Sequence, residues 1–219
     1  MIPMRQLNIL AATIGVAAAS LSCGSVVRDG SSPMFLVVNS LQGASGVPGA
    51  SPGTLGNPLV SNVLNTVTSA PPCAPAIPPA TTPFCTFVVS DVGQIVLSLA
   101  PKNIGSAAAP TTPSTNNQVT ITQYHVVYTR ADGRNTPGVD VPWPFDGAVT
   151  GTVPIGGQLT LGFELVHIVA KQEPPLVALI SSPTVLITIA NVTFYGKDLV
   201  GNAISATGTI QVDFGRFGG

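Results

Sequence analysis

From residue 204 to residue 214 the side chains alternate without a break. Ile204, Ala206, Gly208, Ile210, Val212 and Phe214 share one parity; Ser205, Thr207, Thr209, Gln211 and Asp213 share the other. A strand puts successive side chains on opposite faces, so this pattern predicts a sheet with one dry face and one wet face. A helix would scatter the same residues around its whole circumference. One-sided burial belongs to antiparallel sheets packed face to face. Two further segments repeat the pattern. Ile95, Leu97 and Leu99 alternate with Gln94 and Ser98, and Leu159, Leu161, Phe163 and Leu165 follow the turn at Gly156 and Gly157. The chain holds only two glutamates, so the usual material of long helices is scarce. These features predict an all-β chain.

Residues 118–130 constrain the register further. Val119 and Ile121 share a parity, whereas Tyr124, Val126 and Tyr128 have the opposite one. A β-bulge at Thr122 and Gln123 returns all five to one face. The spacing of Ile121, Tyr124, Val126 and Tyr128, followed by Asp132 and Gly133, resembles the third strand of fibronectin type III domains. Downstream, the run Ala190-Asn191-Val192-Thr193-Phe194-Tyr195-Gly196-Lys197-Asp198, then Gly201-Asn202, is similar to the penultimate strand and final hairpin of bacterial Ig-like domains. The usual second-strand tryptophan of a fibronectin module has no counterpart between Ile95 and Leu99. The resemblance implies an antiparallel Ig-like or fibronectin type III-like β-sandwich of about seven strands, placed at residues 84–219.

The N-terminus reads as an export signal. Arg5 gives a positive start, and an uncharged apolar run over residues 7–21 is too short to span a bilayer comfortably. Leu21-Ser22-Cys23-Gly24 resembles the lipobox of bacterial lipoproteins, with Ser20 where the pattern usually has a large aliphatic residue. The resemblance implies a signal peptide over 1–22, an acyl chain on Cys23 and a small-residue tether over 23–33. The alternative is ordinary secretory cleavage near Ala19 or Ser22. Three cysteines leave one unpaired in an exported chain. With lipid on Cys23, Cys73 and Cys85 remain as a candidate disulfide around a short proline-rich loop, a closure worth about 3 kcal/mol. The expected location is the extracytoplasmic side of a membrane, at the outer membrane or cell surface, held by the lipid anchor.

Residues 34–83 are predicted to hold one apolar strand, Met34, Phe35, Leu36, Val37 and Val38, followed by a Pro/Gly-rich segment read as an extended loop or linker with room for one short amphipathic piece near Leu59–Val67. An apolar strand set apart from its domain can complete its own sheet or a neighbour's by strand addition.

Chemistry is sparse. No nucleophile elbow and no phosphate loop is present. His125 and His167 fall in predicted strands without a nucleophile beside them, and nothing places Glu164 and Glu173 in one cleft. The expectation is a non-enzyme with no metal and no cofactor. With a net charge of −1 and no basic face, nucleic acid is excluded as a partner. The densest stretch holds Arg130, Asp132, Arg134, Asp140, Trp143, Phe145 and Asp146 in a loop context, and is the candidate binding loop. Trp143 and Phe145, each flanked by proline, form either a rigid contact platform or a cap on the end of the domain.

Two functions follow. One is a monomeric surface module that binds or scaffolds other surface proteins or glycans. The other is a subunit that adds strands to copies of itself in a filament or coat, an idea favoured by a chain in which only 8% of residues are charged. A cell-wall hydrolase would need a catalytic constellation that the sequence does not offer.

Overall fold

The computed structural model describes residues 32–44, 54–67, 85–110 and 112–217. The signal peptide, Cys23 and Cys73 lie outside the described residues, as do most of the tether and much of the 41–83 segment. The strands are β1 (Met34–Ala44), β2 (Leu55–Gly56), β3 (Leu59–Asn62), β4 (Asn65–Val67), β5 (Cys85–Phe87), β6 (Asp91–Pro101), β7 (Gly105–Ser106), β8 (Ala109–Pro110), β9 (Val119–Thr129), β10 (Phe145–Val153), β11 (Gln158–Val166), β12 (Leu186–Asp198) and β13 (Ala203–Gly215). One short helix, α1 (Ile168–Gln172), and a 3-10 turn, Leu176–Ser181, connect β11 to β12. Among the described residues no helix is long and apolar enough to cross a membrane.

The protein is all-β. One sheet has the order β11-β6-β1-β2 and the other β10-β9-β12-β13-β3, with two small pairs, β4-β5 and β7-β8, beside them. The alternating segments behave as expected. In β13 Gly208, Ile210, Val212 and Phe214 are buried, while Thr207, Thr209 and Gln211 are exposed. The bulge in β9 is present too. Pairing to β12 jumps from Tyr195↔Gln123 to Gly196↔Ile121, skipping Thr122, so Val119, Ile121, Tyr124, Val126 and Tyr128 all face inward. Gly196 makes this jump possible, because a Cβ there would sit 2.5 Å from the Thr120 carbonyl oxygen.

The inner faces of the two sheets share one core. Ile95, Leu97 and Phe163 come from the first sheet, and Ile121, Val126, Phe194 and Phe214 from the second. Each such burial contributes roughly 1.5–3 kcal/mol. Polar contacts also bridge the layers: the Tyr128 hydroxyl in β9 donates to the Leu165 carbonyl in β11 at 2.5 Å. Burial drives the Tyr128 phenol well above its ordinary pKa, so it stays a donor.

Three expectations change. Residues 34–38 are not set apart from the domain. They open an eleven-residue strand that pairs with β6 in its own chain, Met34 against Pro101 and Val38 against Leu97. Residues 59–62, read as part of a short amphipathic piece within a linker, form β3 at the far edge of the second sheet. This pairing is parallel, unlike the other strand pairings among the described residues, and sets Leu59 beside Val212 with its side chain fully buried. Strands from both sides of residue 84 therefore share both sheets. Finally, His167 lies beyond β11 and caps α1, its Nδ1 accepting the Val169 N–H at 3.2 Å.

Candidate functional site

The loop between β9 and β10 is ordered by its own charges. The Arg130 guanidinium donates to both carboxylate oxygens of Asp132, and the Asp132 Oδ1 accepts the Arg134 N–H at 3.2 Å. Arg134 Nε reaches Asp140 Oδ1 at 3.1 Å, and Asp140 Oδ2 accepts the Thr136 N–H at 3.3 Å. The Arg130 hydrogen bonds hold Asp132 below the usual carboxylate range. Desolvation works the other way at Asp140, but Arg134 and Thr136 outweigh it and lower that carboxyl too. Gly133 and Gly138, at φ +80° and +75°, supply backbone angles that side-chain-bearing residues rarely adopt. Buried Val141 fastens the loop to the core.

This loop forms one wall of a cleft of about 880 Å³. Arg130, Arg134 and Val139 come from the loop, and Ile187 and Ile189 of β12 line the cleft from the sheet. Leu179 and Val185, in and after the 3-10 turn, complete it. Val139, Val185, Ile187 and Ile189 are 67%, 47%, 57% and 41% exposed. The two arginines are neutralised by their aspartates, so the cleft offers an apolar surface with a polar, nearly neutral rim. That suits an apolar segment better than an ionic ligand.

Arg130, Asp132, Arg134 and Asp140 all line the cleft, whereas Trp143, Phe145 and Asp146 do not. The Trp143 indole lies on Gly138, where a Cβ would come within 2.6 Å of Nε1, and its outer side remains exposed. Phe145 turns inward, edge-on to Tyr124 at 6.2 Å and to the His167 ring at 5.8 Å. The paired aromatic platform is thus divided between two places. Asp146 meets His125 at 2.8 Å on the outer face of the second sheet. The sequence matches no protein-family model and no curated protein.

Behind the cleft wall lies a polar group that the sequence did not single out. Lys171 of α1 is fully buried, with Nζ 2.8 Å from Asp91 Oδ2 and 3.0 Å from the Asn62 carbonyl. Ser61 donates to the same Asp91 oxygen at 2.5 Å. Lys171 therefore ties α1, and through it the 3-10 turn bearing Leu179, to β3 and β6. Burial pushes the Asp91 carboxyl up and the Lys171 amine down, despite their mutual attraction. No signal in the sequence marks the pair, because its members are far apart along the chain. Among the described residues no three His, Cys, Asp or Glu side chains gather in metal-binding range.

Proposed function

We propose that this chain is an exported, lipid-anchored, non-enzymatic module of the bacterial cell surface that binds an apolar segment of a partner in its cleft. Its domain is read as an Ig-like or fibronectin type III-like sandwich. The seven strands of nine residues or more support that reading. They divide three against four, β11-β6-β1 facing β10-β9-β12-β13, as seven-stranded sandwiches of this class divide.

The observation that carries the functional reading is polarity. The chain enters at Ser32, where β1 starts and β12 ends. The cleft lies where β9 ends and β12 starts. The thirteen residues of β12 separate the two ends by about 40 Å. A lipid on Cys23 would hold the first end near the membrane and leave the cleft facing outward. Nile red, a neutral apolar dye, is the probe for the cleft. Its fluorescence should rise with the purified chain and fall several-fold with Ile187→Asp, without a change in the melting curve. Equal fluorescence from both proteins would remove the cleft as a binding site.

One observation favours self-assembly as a second reading. β2 pairs only with Gly43 and Ala44 of β1, so among the described residues nothing pairs with the outer edge of β1 from Met34 to Gln42. That stretch has no charge and no proline, the devices that ordinarily protect an edge. If copies join there, Val37→Lys should convert higher masses in light scattering to single chains. A wild-type chain that is monomeric at every concentration would exclude this route.

A further inference from the structure

The end of the domain where the chain enters carries its own surface. Asp198, at the close of β12, accepts the Val200 and Asn202 N–H groups at 3.1 and 2.8 Å and the Asn202 side-chain amide at 2.9 Å. The Ser32 side chain lies close enough to help lower Asp198, which places the start of β1 beside the β12–β13 turn. Although partial desolvation opposes it, these bonds hold Asp198 below the usual carboxylate range. The turn is tight, with Gly201 at φ +100°, and it pushes Leu199 and Val200 outward at 57% and 54% exposure.

Ile104, just past the end of β6, is 74% exposed. Lys102 and Lys197 border the same end and line a shallow hollow there together with Phe35. The one acidic side chain described at this end is Asp198, and it is buried. Among the described residues, three outward aliphatic tips with two lysines and no exposed carboxylate match the interfacial zone of an anionic bilayer, where apolar tips enter and lysines meet lipid phosphates.

From these positions we infer that the Ser32 end of the domain rests on the membrane surface, with Leu199, Val200 and Ile104 inserted and Lys102 and Lys197 against the headgroups. This rests on the reading of Cys23 as the lipid anchor. The covalent chain supports the fit: nine residue steps from Cys23 to Ser32 reach at most about 30 Å. The anchor therefore keeps this end close to the bilayer whatever path the tether takes.

The test uses the full chain produced in a lipidating bacterium. It is placed in phosphatidylcholine vesicles containing phosphatidylglycerol and a trace of phospholipid with a photoactivatable diazirine. Intact mass reports the acyl group, and peptide mapping reports where lipid carbenes insert. The expected result is insertion in the peptides holding Ile104 and Leu199–Val200, with none in the peptides holding Val139 or Trp143. The Leu199→Asp/Val200→Asp chain, still acylated, should lose insertion at that turn. An acylated chain labelled only in residues 23–31 would overturn the membrane contact and leave the anchor standing. A chain with no acyl mass and no label would overturn both.

Discussion

Lys171→Ala is expected to lower the unfolding free energy by about 3–5 kcal/mol at neutral pH, the usual consequence of leaving a buried charge without its partner. Asp91 would keep Ser61 as a donor but lose the ammonium 2.8 Å away. The loss should depend on pH. In the folded chain burial already raises Asp91 above its ordinary 3.8, so its contribution is fully present below that value and fades as pH rises through the native one. Lys171 is depressed below 10.5, so its own effect runs the other way: its contribution is fully present above that value and is lost as pH falls through the native one. Without Lys171 the two interactions that pull Asp91 down are gone, and its native pKa climbs further. Urea unfolding should show a small deficit in mild acid, where Asp91 is neutral in the variant, and the full deficit at neutral pH. Asp91→Leu combined with Lys171→Met should regain most of the stability. A deficit equal at both pH values would mean that lost packing of the lysine stem, not the orphaned carboxylate, is responsible. The same variant frees α1 from β3 and β6, so Nile red binding in the neighbouring cleft should weaken as well.

The strands that were legible in the sequence are those whose burial is one-sided. β13 shows its inner face at every second residue, and the parity conflict between Ile121 and Tyr124 announces the bulge. β3 was hidden for a physical reason. Ser61 and Asn62 are buried, the Ser61 hydroxyl to bond Asp91 and the Asn62 side chain to donate to Asn65 Oδ1 and accept the Phe217 N–H, so a strand was written in linker residues. β1 was recognised as a strand, but the sequence left open whether it completes its own sheet or a neighbour's, because its partner β6 lies beyond a long Pro/Gly segment and pairing over that distance leaves no local trace.

The candidate loop divides in the same way. Arg130, Asp132, Arg134 and Asp140 are near neighbours in sequence, and their ion pairs are local, so the group was visible. The other wall of the cleft comes from residues 179–189, and only the β9–β12 pairing brings it opposite the loop. Trp143 and Phe145 looked like a pair from their prolines. The strand period of β10 sends Phe145 inward, while Gly138 gives Trp143 a seat outside the core.

Phe194→Ala should cost about 3–5 kcal/mol, because the space it leaves has little means of closing. Phe194 is fully buried, edge-on to Phe163 at 5.1 Å and stacked on Tyr124 at 5.9 Å, and Tyr124 meets Phe163 at 5.1 Å. These three rings come from both sheets, so removing one loosens the contact between layers. Their neighbours are already shaped around them. A Cβ on Gly93 would lie 2.6 Å from the Phe163 ring, and one on Gly147 would lie closer still to the Tyr124 ring. Backbone this close has no room to advance into a void without displacing the remaining rings. Phe194→Leu, which keeps most of the volume, should cost far less, on the order of 1.5 kcal/mol. The strand that carries Phe194 inward carries Ile187 and Ile189 outward, several residues away. Urea unfolding followed alongside Nile red titration therefore separates the two roles of β12. Phe194→Ala should shift the unfolding midpoint and leave dye affinity unchanged in the folded protein, whereas Lys171→Ala should alter both. Equal dye loss in the two variants would mean that the cleft depends on the packing of the whole core rather than on the anchored wall beside α1.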